Sequence, residues 1–291
     1  MPVAETPNVR ITLPGGKNYQ DVLKVVENQK LNTVCQSARC PNLGECWNER
    51  TATFMLLGNI CTRSCRFCAV QHGKPKELDL GEPERVAEAV ADMQIRYAVI
   101  TSVNRDELPD GGATIFAEVV RCIRALSPDT MVELLTPDFC GDLQALDIVL
   151  EAQPNVLNHN IETVPRLYRT IQPWSNWETS LAVIRHSHEQ GSVTKSGIIV
   201  GLGEEKEEVF DAIRQLREAG CDILTVGQYL RPTKRNVELS RVVPPEEFQE
   251  YETYGLELGF ASVLSGPLVR SSYKARSAYE AALARREAVA L

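Results

Sequence analysis

No stretch of this chain stays apolar for the about 20 residues needed to cross a bilayer, so no segment reads as a membrane span. The first residues, Met1-Pro2-Val3-Ala4-Glu5, lack a basic stretch followed by an apolar one and are not expected to act as a secretory signal. Positive charge is also scarce. Against 39 Asp and Glu there are 31 Lys and Arg, a net charge of −8. No basic block stands out, which argues against nonspecific nucleic-acid binding. Low-complexity tracts and repeats longer than a strand–helix unit are absent as well. Acidic runs such as Glu204–Glu208 read as solvated helix faces.

What remains suits a globular protein. The 291 residues are 43% apolar and 24% charged, enough for one large α/β domain or two small ones. With no export signal, a cytoplasmic location is expected, and in that reducing compartment the nine cysteines are not expected to form disulfides.

After Thr51, short apolar β-branched runs alternate with helical patterns. Strands are expected over 53–58, 97–103, 131–136, 155–160, 194–200 and 223–227. They do not alternate clearly, as befits strands covered on both faces. Helices are expected over 84–94, 115–126, 177–189 and 205–219, with Gly220 as a stop. Six strand–helix units imply a parallel sheet with right-handed crossovers but fall short of a full eight-stranded barrel. The expected fold is α/β, a partial (β/α)6 barrel over 51–243 with its site at the carboxyl ends of the strands. A cysteine-rich extension (1–50) would precede it, and a C-terminal extension (244–291) with a helix, a short strand at 261–264 and a helical tail would follow. A doubly wound open sheet is the alternative.

Six of the nine cysteines form two triplets. Cys61, Cys65 and Cys68 follow directly on the first strand; Cys35, Cys40 and Cys46 lie upstream. Each is one ligand short of the four thiolates that usually hold an iron–sulfur cubane, which would leave one iron open to chemistry. Zinc is the competing reading, but zinc prefers four ligands in paired spacing. His72 is a weak candidate for a fourth. Cys122, Cys140 and Cys221 are scattered and are expected as small buried hydrophobes.

C-x3-C-x2-C with Phe67 before the third cysteine resembles the signature of the radical S-adenosylmethionine (SAM) superfamily. The resemblance implies that the methionyl group of SAM chelates the open iron and that one electron cleaves the sulfonium to a 5′-deoxyadenosyl radical. Gly197-Ile198-Ile199-Val200-Gly201-Leu202-Gly203-Glu204 is similar to the family's adenine-supporting segment. Strand-end polar residues join Phe67, Gly197 and Gly201 as expected cofactor contacts: Thr101, Ser102, Asn104, Asn160, Glu162 and Lys195. His159 is read as structural or as pocket wall.

C-x4-C-x5-C upstream, together with Arg270-Ser271-Ser272-Tyr273 near the end, resembles one branch of that superfamily, lipoyl synthase. The resemblance runs from about Asn32 to Tyr273 and takes in Thr101–Gly112, Thr136–Phe139 and Asn158–Val164. It implies a second, auxiliary 4Fe–4S cluster on Cys35, Cys40 and Cys46 with Ser272, rather than Ser271, as fourth ligand and Arg270 orienting the segment. The implied activity inserts sulfur at C6 and C8 of a protein-bound octanoyl-lysine, with the auxiliary cluster as sulfur donor. Implied partners are an octanoylated lipoyl carrier domain or glycine cleavage H protein, and a reduced ferredoxin or flavodoxin, with neither nucleic acid nor membrane. The competing readings are another radical SAM enzyme with an auxiliary cluster, biotin-synthase-like or peptide-modifying, and a noncatalytic iron–sulfur or zinc protein.

Overall fold

Burial on both faces explains the unbroken apolar runs. Every residue of the strand Thr53–Leu56 is buried, as is every residue of Ile223–Gln228. The computed structural model describes residues 11–290; the N-terminal pentapeptide lies outside them. These residues group into two compact units, 11–64 with 69–155, and 65–68 with 156–290.

The first unit opens with α1 (Lys17–Asn28), β1 (Asn32–Thr33), α2 (Val34–Ser37) and α3 (Leu43–Asn48), then β2 (Thr53–Leu56). Two short parallel strands, β3 (Ile60–Cys61) and β4 (Gln71–His72), bracket the cysteine loop. There follow α4 (Glu82–Asp92), β5 (Tyr97–Ser102), α5 (Ala113–Leu126), β6 (Met131–Leu135) and α6 (Leu143–Glu151). Strand order is β1-β2-β5-β6. The last three are parallel, with Thr53 opposite Val99 and Tyr97 opposite Met131, and β1 is antiparallel to β2. α4 packs on α5, which packs on α6, and α5 turns Ile115, Phe116, Val119, Val120 and Ile123 inward.

The second unit contains β7 (Val156–Asn158), α7 (Tyr168–Ile171), α8 (Trp177–Glu189), β8 (Val193–Val200), α9 (Lys206–Glu218), β9 (Ile223–Gln228), α10 (Pro245–Leu258), β10 (Ser262–Gly266) and α11 (Ala275–Ala290). Its strands run in the order β7-β8-β9-β10, all parallel. Local chemistry fixes the helix starts. Asn176 accepts the N–H groups of Glu178 and Thr179 at the head of α8, and Glu205 and Glu208 form a capping box on α9. Val209, Ile213 and Leu216 carry α9 onto the core.

Parallel strands alternating with helices are the expected α/β arrangement. Three features differ from the sequence reading. α6 was not anticipated, although Asp142 caps it by accepting the N–H groups of Gln144 and Ala145. The C-terminal strand continues the main ladder, pairing along its length with β9 from Ser262 opposite Ile223 to Gly266 opposite Gly227. Cys140 is exposed rather than buried, because the tight turn Phe139–Gly141 holds it at φ +53° at the surface. Cys221 is fully buried as expected and Cys122 half-buried. Among the described residues, no helix is long and apolar enough to cross a membrane.

Candidate functional site

Cys61 ends β3, in register with the exposed His72 on β4. Its sulfur accepts the backbone N–H of Asn104 at 3.3 Å. The Thr62 N–H donates to the Asn104 carbonyl at 3.0 Å, and the Thr62 hydroxyl lies 3.1 Å from that carbonyl and 3.0 Å from Asp106 Oδ2. The motif Thr101–Gly112 is therefore a brace for the first cysteine. Arg105 ties it to the carbonyls of Leu57 and Lys76 at 3.2 and 3.1 Å, and Asp110 accepts the N–H groups of Gly112 and Thr114 where α5 begins.

Arg63, two residues beyond Cys61, was not singled out in the sequence. Its guanidinium is buried and grips two carboxylates at once. Nε and Nη2 meet Asp106 at 2.9 Å, while Nη1 and Nη2 meet Asp138 at 3.0 and 2.7 Å. Charge-assisted, two-pronged bonds of this kind are strong and directional. Burial pushes the Asp106 carboxyl up, but Arg63 outweighs it and holds it below the usual range. The Cys140 thiol joins the group, 3.2 Å from Nη2 and 3.4 Å from Asp106 Oδ1. An arginine inside a cysteine loop, with aspartates in two later strand-end loops, was the available signal.

Cys65 and Cys68 belong to the second unit and have their own anchors. The Arg66 N–H donates to the Ile171 carbonyl at 2.8 Å, and Val237 N–H donates to the Arg66 carbonyl at 3.0 Å. Asn236 Nδ2 reaches the Cys68 carbonyl at 2.7 Å. Phe67 packs against the hydrophobic core of that unit.

In the same unit the ends of β7 and β8 carry a polar cluster. Asn160 Nδ2 donates to Glu162 Oε1 at 3.2 Å and to Ser271 Oγ at 2.7 Å. Asn160 Oδ1 is buried without a partner. A Cβ on Gly197 would come within 2.8 Å of that oxygen, so only glycine leaves the space open. Lys195 is wholly buried on β8, and the Gly201 N–H is held by Glu204 Oε1 at 2.6 Å. Glu204 thus shapes the glycine loop. His159 Nε2 lies 3.0 Å from Ser180 Oγ. In the first unit, Thr101 donates its hydroxyl to the Leu135 carbonyl at 3.0 Å, whereas the Ser102 hydroxyl is buried without a partner.

The upstream triplet lies wholly in the first unit. Thr33 caps α2 and sets Cys35 in its first turn; the Cys40 N–H donates to the Cys35 carbonyl at 3.0 Å and Cys46 N–H to Asn42 at 2.9 Å. Burial, then repulsion from Cys35 and Cys40, pushes the Cys46 thiol up to about 12. The Cys35 thiol is likewise raised by burial. The indole N–H of Trp47 is buried and short of a full hydrogen bond, with Trp47 lying against Cys35. Among the described residues, no three His, Cys, Asp or Glu side chains close around a point suited to a single ion.

Arg270 donates to the carbonyls of Pro267 and Val269, at 3.4 and 2.6 Å, and so winds its own turn. That turn crosses β9 where Gly227 has no side chain; a Cβ there would collide with the Val269 carbonyl. Ser271 is committed to Asn160, whereas the Ser272 hydroxyl makes no hydrogen bond among the described residues.

Two expectations follow. Arg63→Ala leaves Asp138, 3% exposed, as an unpaired buried charge, and costs about 3–5 kcal/mol in chemical denaturation. Arg63→Lys keeps the charge, loses the fork and costs less; a loss equal to that of Arg63→Ala would show that the fork, not the charge, holds the two carboxylates. The second concerns Glu162, whose carboxyl burial pushes up to about 7 from its ordinary 4.5, against a lowering bond from Asn160. Between those values the folded chain keeps a proton that the unfolded chain has released, so stability falls as pH rises through that window. Urea unfolding of the metal-free protein should show that slope, and Glu162→Gln should flatten it; an unchanged slope would assign the proton elsewhere.

Comparison with known proteins identifies the family. A family profile described as the radical SAM superfamily matches residues 55–216. A lipoyl synthase of Rubrobacter xylanophilus is 56% identical over 274 residues, spanning 94% of this chain and 85% of its own. One from Flavobacterium johnsoniae is 50% identical over 277 residues, spanning 95% and 96%. Among solved structures, HydG, a maturase of the FeFe-hydrogenase, gives a TM-score of 0.59 at 14% identity over 92% of this chain and 67% of that one, a likeness of fold alone. By its identity to these relatives over nearly its whole length, the chain belongs to the lipoyl synthase family of the radical SAM superfamily.

Proposed function

We propose that this protein inserts sulfur at C6 and C8 of an octanoyl chain carried on a lysine of a partner protein. The observation that carries the reading is the doubled thiol triplet in a chain of this family, each set held by its own hydrogen bonds. The residues suit the implied groups. The thiols are soft ligands for iron. Asn160 Oδ1 and the Ser102 hydroxyl are buried polar atoms without partners, as a site for a polar cofactor requires.

Cys61, Cys65 and Cys68 would hold a 4Fe–4S cluster, which with SAM would supply a radical able to take hydrogen from unactivated carbon. Cys35, Cys40 and Cys46 would hold the auxiliary cluster that donates sulfur, with Ser272 as its fourth ligand. Burial raises the Cys35, Cys46 and Cys61 thiols, so these three would give up their protons as iron binds. The Asn104 N–H on Cys61 favours that loss and fixes where the sulfur points. A pre-placed sulfur source gives an effective molarity that a diffusing one cannot match. A serine oxygen binds iron less well than a thiolate, so it can let go as the sulfur source is consumed. Phe67, Asn160, Glu162, Lys195, Gly197 and Gly201 would surround the cofactor together with Thr101, Ser102 and Asn104.

Residues 51–243 form the barrel segment between a 1–50 and a 244–291 extension. The substrate carrier is an octanoylated lipoyl domain or glycine cleavage H protein, a ferredoxin or flavodoxin supplies electrons, and the reaction runs in the cytoplasm.

Anaerobic reconstitution tests the reading. With reductant, SAM and an octanoyl-lysine peptide, mass spectrometry should show two sulfurs replacing two hydrogens, with 5′-deoxyadenosine formed. 5′-Deoxyadenosine without sulfur in the peptide would keep the radical chemistry and reject the substrate. Ser272→Cys should leave iron content unchanged yet stall after the first insertion; normal turnover would reject release of the serine.

A further inference from the structure

A net charge of −8 hides a local reversal around the second half of the cysteine loop. Cys65 and Cys68 are partly buried and Phe67 turns to the core, which leaves Arg66 as the exposed residue on the outer side of the loop. The backbone of Arg66 is clamped on both sides, to Ile171 at 2.8 Å and to Val237 at 3.0 Å. Each clamping segment brings further exposed cations. Arg169 lies two residues before Ile171, and Lys234 and Arg235 lie just before Asn236, which itself bonds the Arg66 and Cys68 carbonyls at 3.2 and 2.7 Å.

The loop 231–236 is built to present its charges. Arg231 folds back, donating to the Asn236 carbonyl at 2.9 Å and the Lys234 carbonyl at 2.7 Å. Thr233 Oγ1 meets Asn236 Oδ1 at 2.7 Å. The nearby acid Glu238 faces Arg231 at 3.5 Å and leaves the other cations alone. Among the described residues, the side chains of Arg66, Arg169, Lys234 and Arg235 make no ion pair and no hydrogen bond. Four exposed cations, unpaired among the described residues, thus lie on the cysteine loop or on the two segments that clamp it. Elsewhere acidic and basic side chains largely neutralise one another, as Arg166 does with Glu208 and Arg214 with Asp211 and Glu218.

We propose that this basic collar is the docking surface for a small acidic one-electron carrier protein. The proposal rests on the reading of Cys61, Cys65 and Cys68 as cluster ligands and adds the place where the electron enters. Electron transfer weakens steeply with distance, so a donor gains by sitting over the outer side of the loop that holds the acceptor. The carrier is oxidised by one electron and the cluster is reduced by one, with no atom transferred. A few preorganised charges suit a brief, low-area encounter typical of redox partners. Against a net charge of −8, a local group of cations steers an acidic carrier to this face.

The test uses the anaerobic, cluster-loaded protein and its variant Arg169→Glu/Lys234→Glu/Arg235→Glu, none of which is a cluster or cofactor residue. Cluster bleaching is followed by stopped flow with two reductants: photoreduced flavodoxin, as an acidic carrier, and a small uncharged photoreductant. Flavodoxin should reduce the variant about ten-fold or more slowly than the parent at low salt, and the parent should slow toward the variant as salt rises. The small reductant should not distinguish the two proteins. A zero-length carbodiimide cross-linker should join Lys234 to a flavodoxin carboxylate, read by peptide mass spectrometry. Equal flavodoxin rates would overturn the docking surface while leaving the cluster reading intact. So would an unchanged rate with a weakened KM for an octanoylated carrier domain, which would give the collar to the substrate carrier. Failure of the small reductant to bleach either protein would remove the cluster reading and the docking surface with it.

Discussion

The first half of the site depends on one guanidinium. Arg63 holds Asp106 from the loop after β5 and Asp138 from the loop after β6, so it joins two strand ends to the cysteine loop that follows β2. Once those three loops are locked, Asn104 meets the Cys61 sulfur without further adjustment, and Thr62 closes the same bracket. A buried cation between two carboxylates tolerates little displacement, since moving any member uncovers a charge in a poorly hydrated place. The ion triad thereby fixes, through Asp106 and the Asn104 loop, where the Cys61 sulfur points.

The second unit achieves the same end with neutral groups. There the cysteine loop is held by backbone bonds to 171 and 237 and by one asparagine side chain. The RSSY segment is fixed by the Arg270 turn, by the missing side chain at Gly227 and by the bond from Asn160 to Ser271. That last bond divides the labour between adjacent serines: one is tied down and the other left with its lone pairs available.

Much of this was legible in the residues alone. The six strand positions follow from apolar runs buried on both sides, α8 begins at its asparagine cap, and α9 runs from its capping box to the stop at Gly220. The two triplets and RSSY stand out because cysteines at such spacing have few uses. What sequence could not give was partnership at long range. Arg63 and Asp138 are 75 positions apart, and an isolated arginine or aspartate reads as surface charge. Strand-end polar residues looked alike until their bonds were seen: Thr101 is spent on the sheet while Ser102 and Asn160 keep buried atoms unused. Cys140 was misjudged because the tight turn that exposes it has no distinctive composition. The basic collar escaped notice because its members come from three separate stretches and never form a run.

The short antiparallel pairing of β1 with β2 has a consequence for how this chain survives in solution. β2 is an edge strand of its parallel set, and two residues of β1, Asn32 opposite Met55 and Thr33 opposite Phe54, cover that edge. The same stretch leads straight into α2 and the first auxiliary cysteine. The cysteine-rich extension is therefore also an edge guard. A chain shortened to begin at Thr51 would lose not only three thiols but the cover on an apolar strand rim, the kind of rim along which copies of a protein stack.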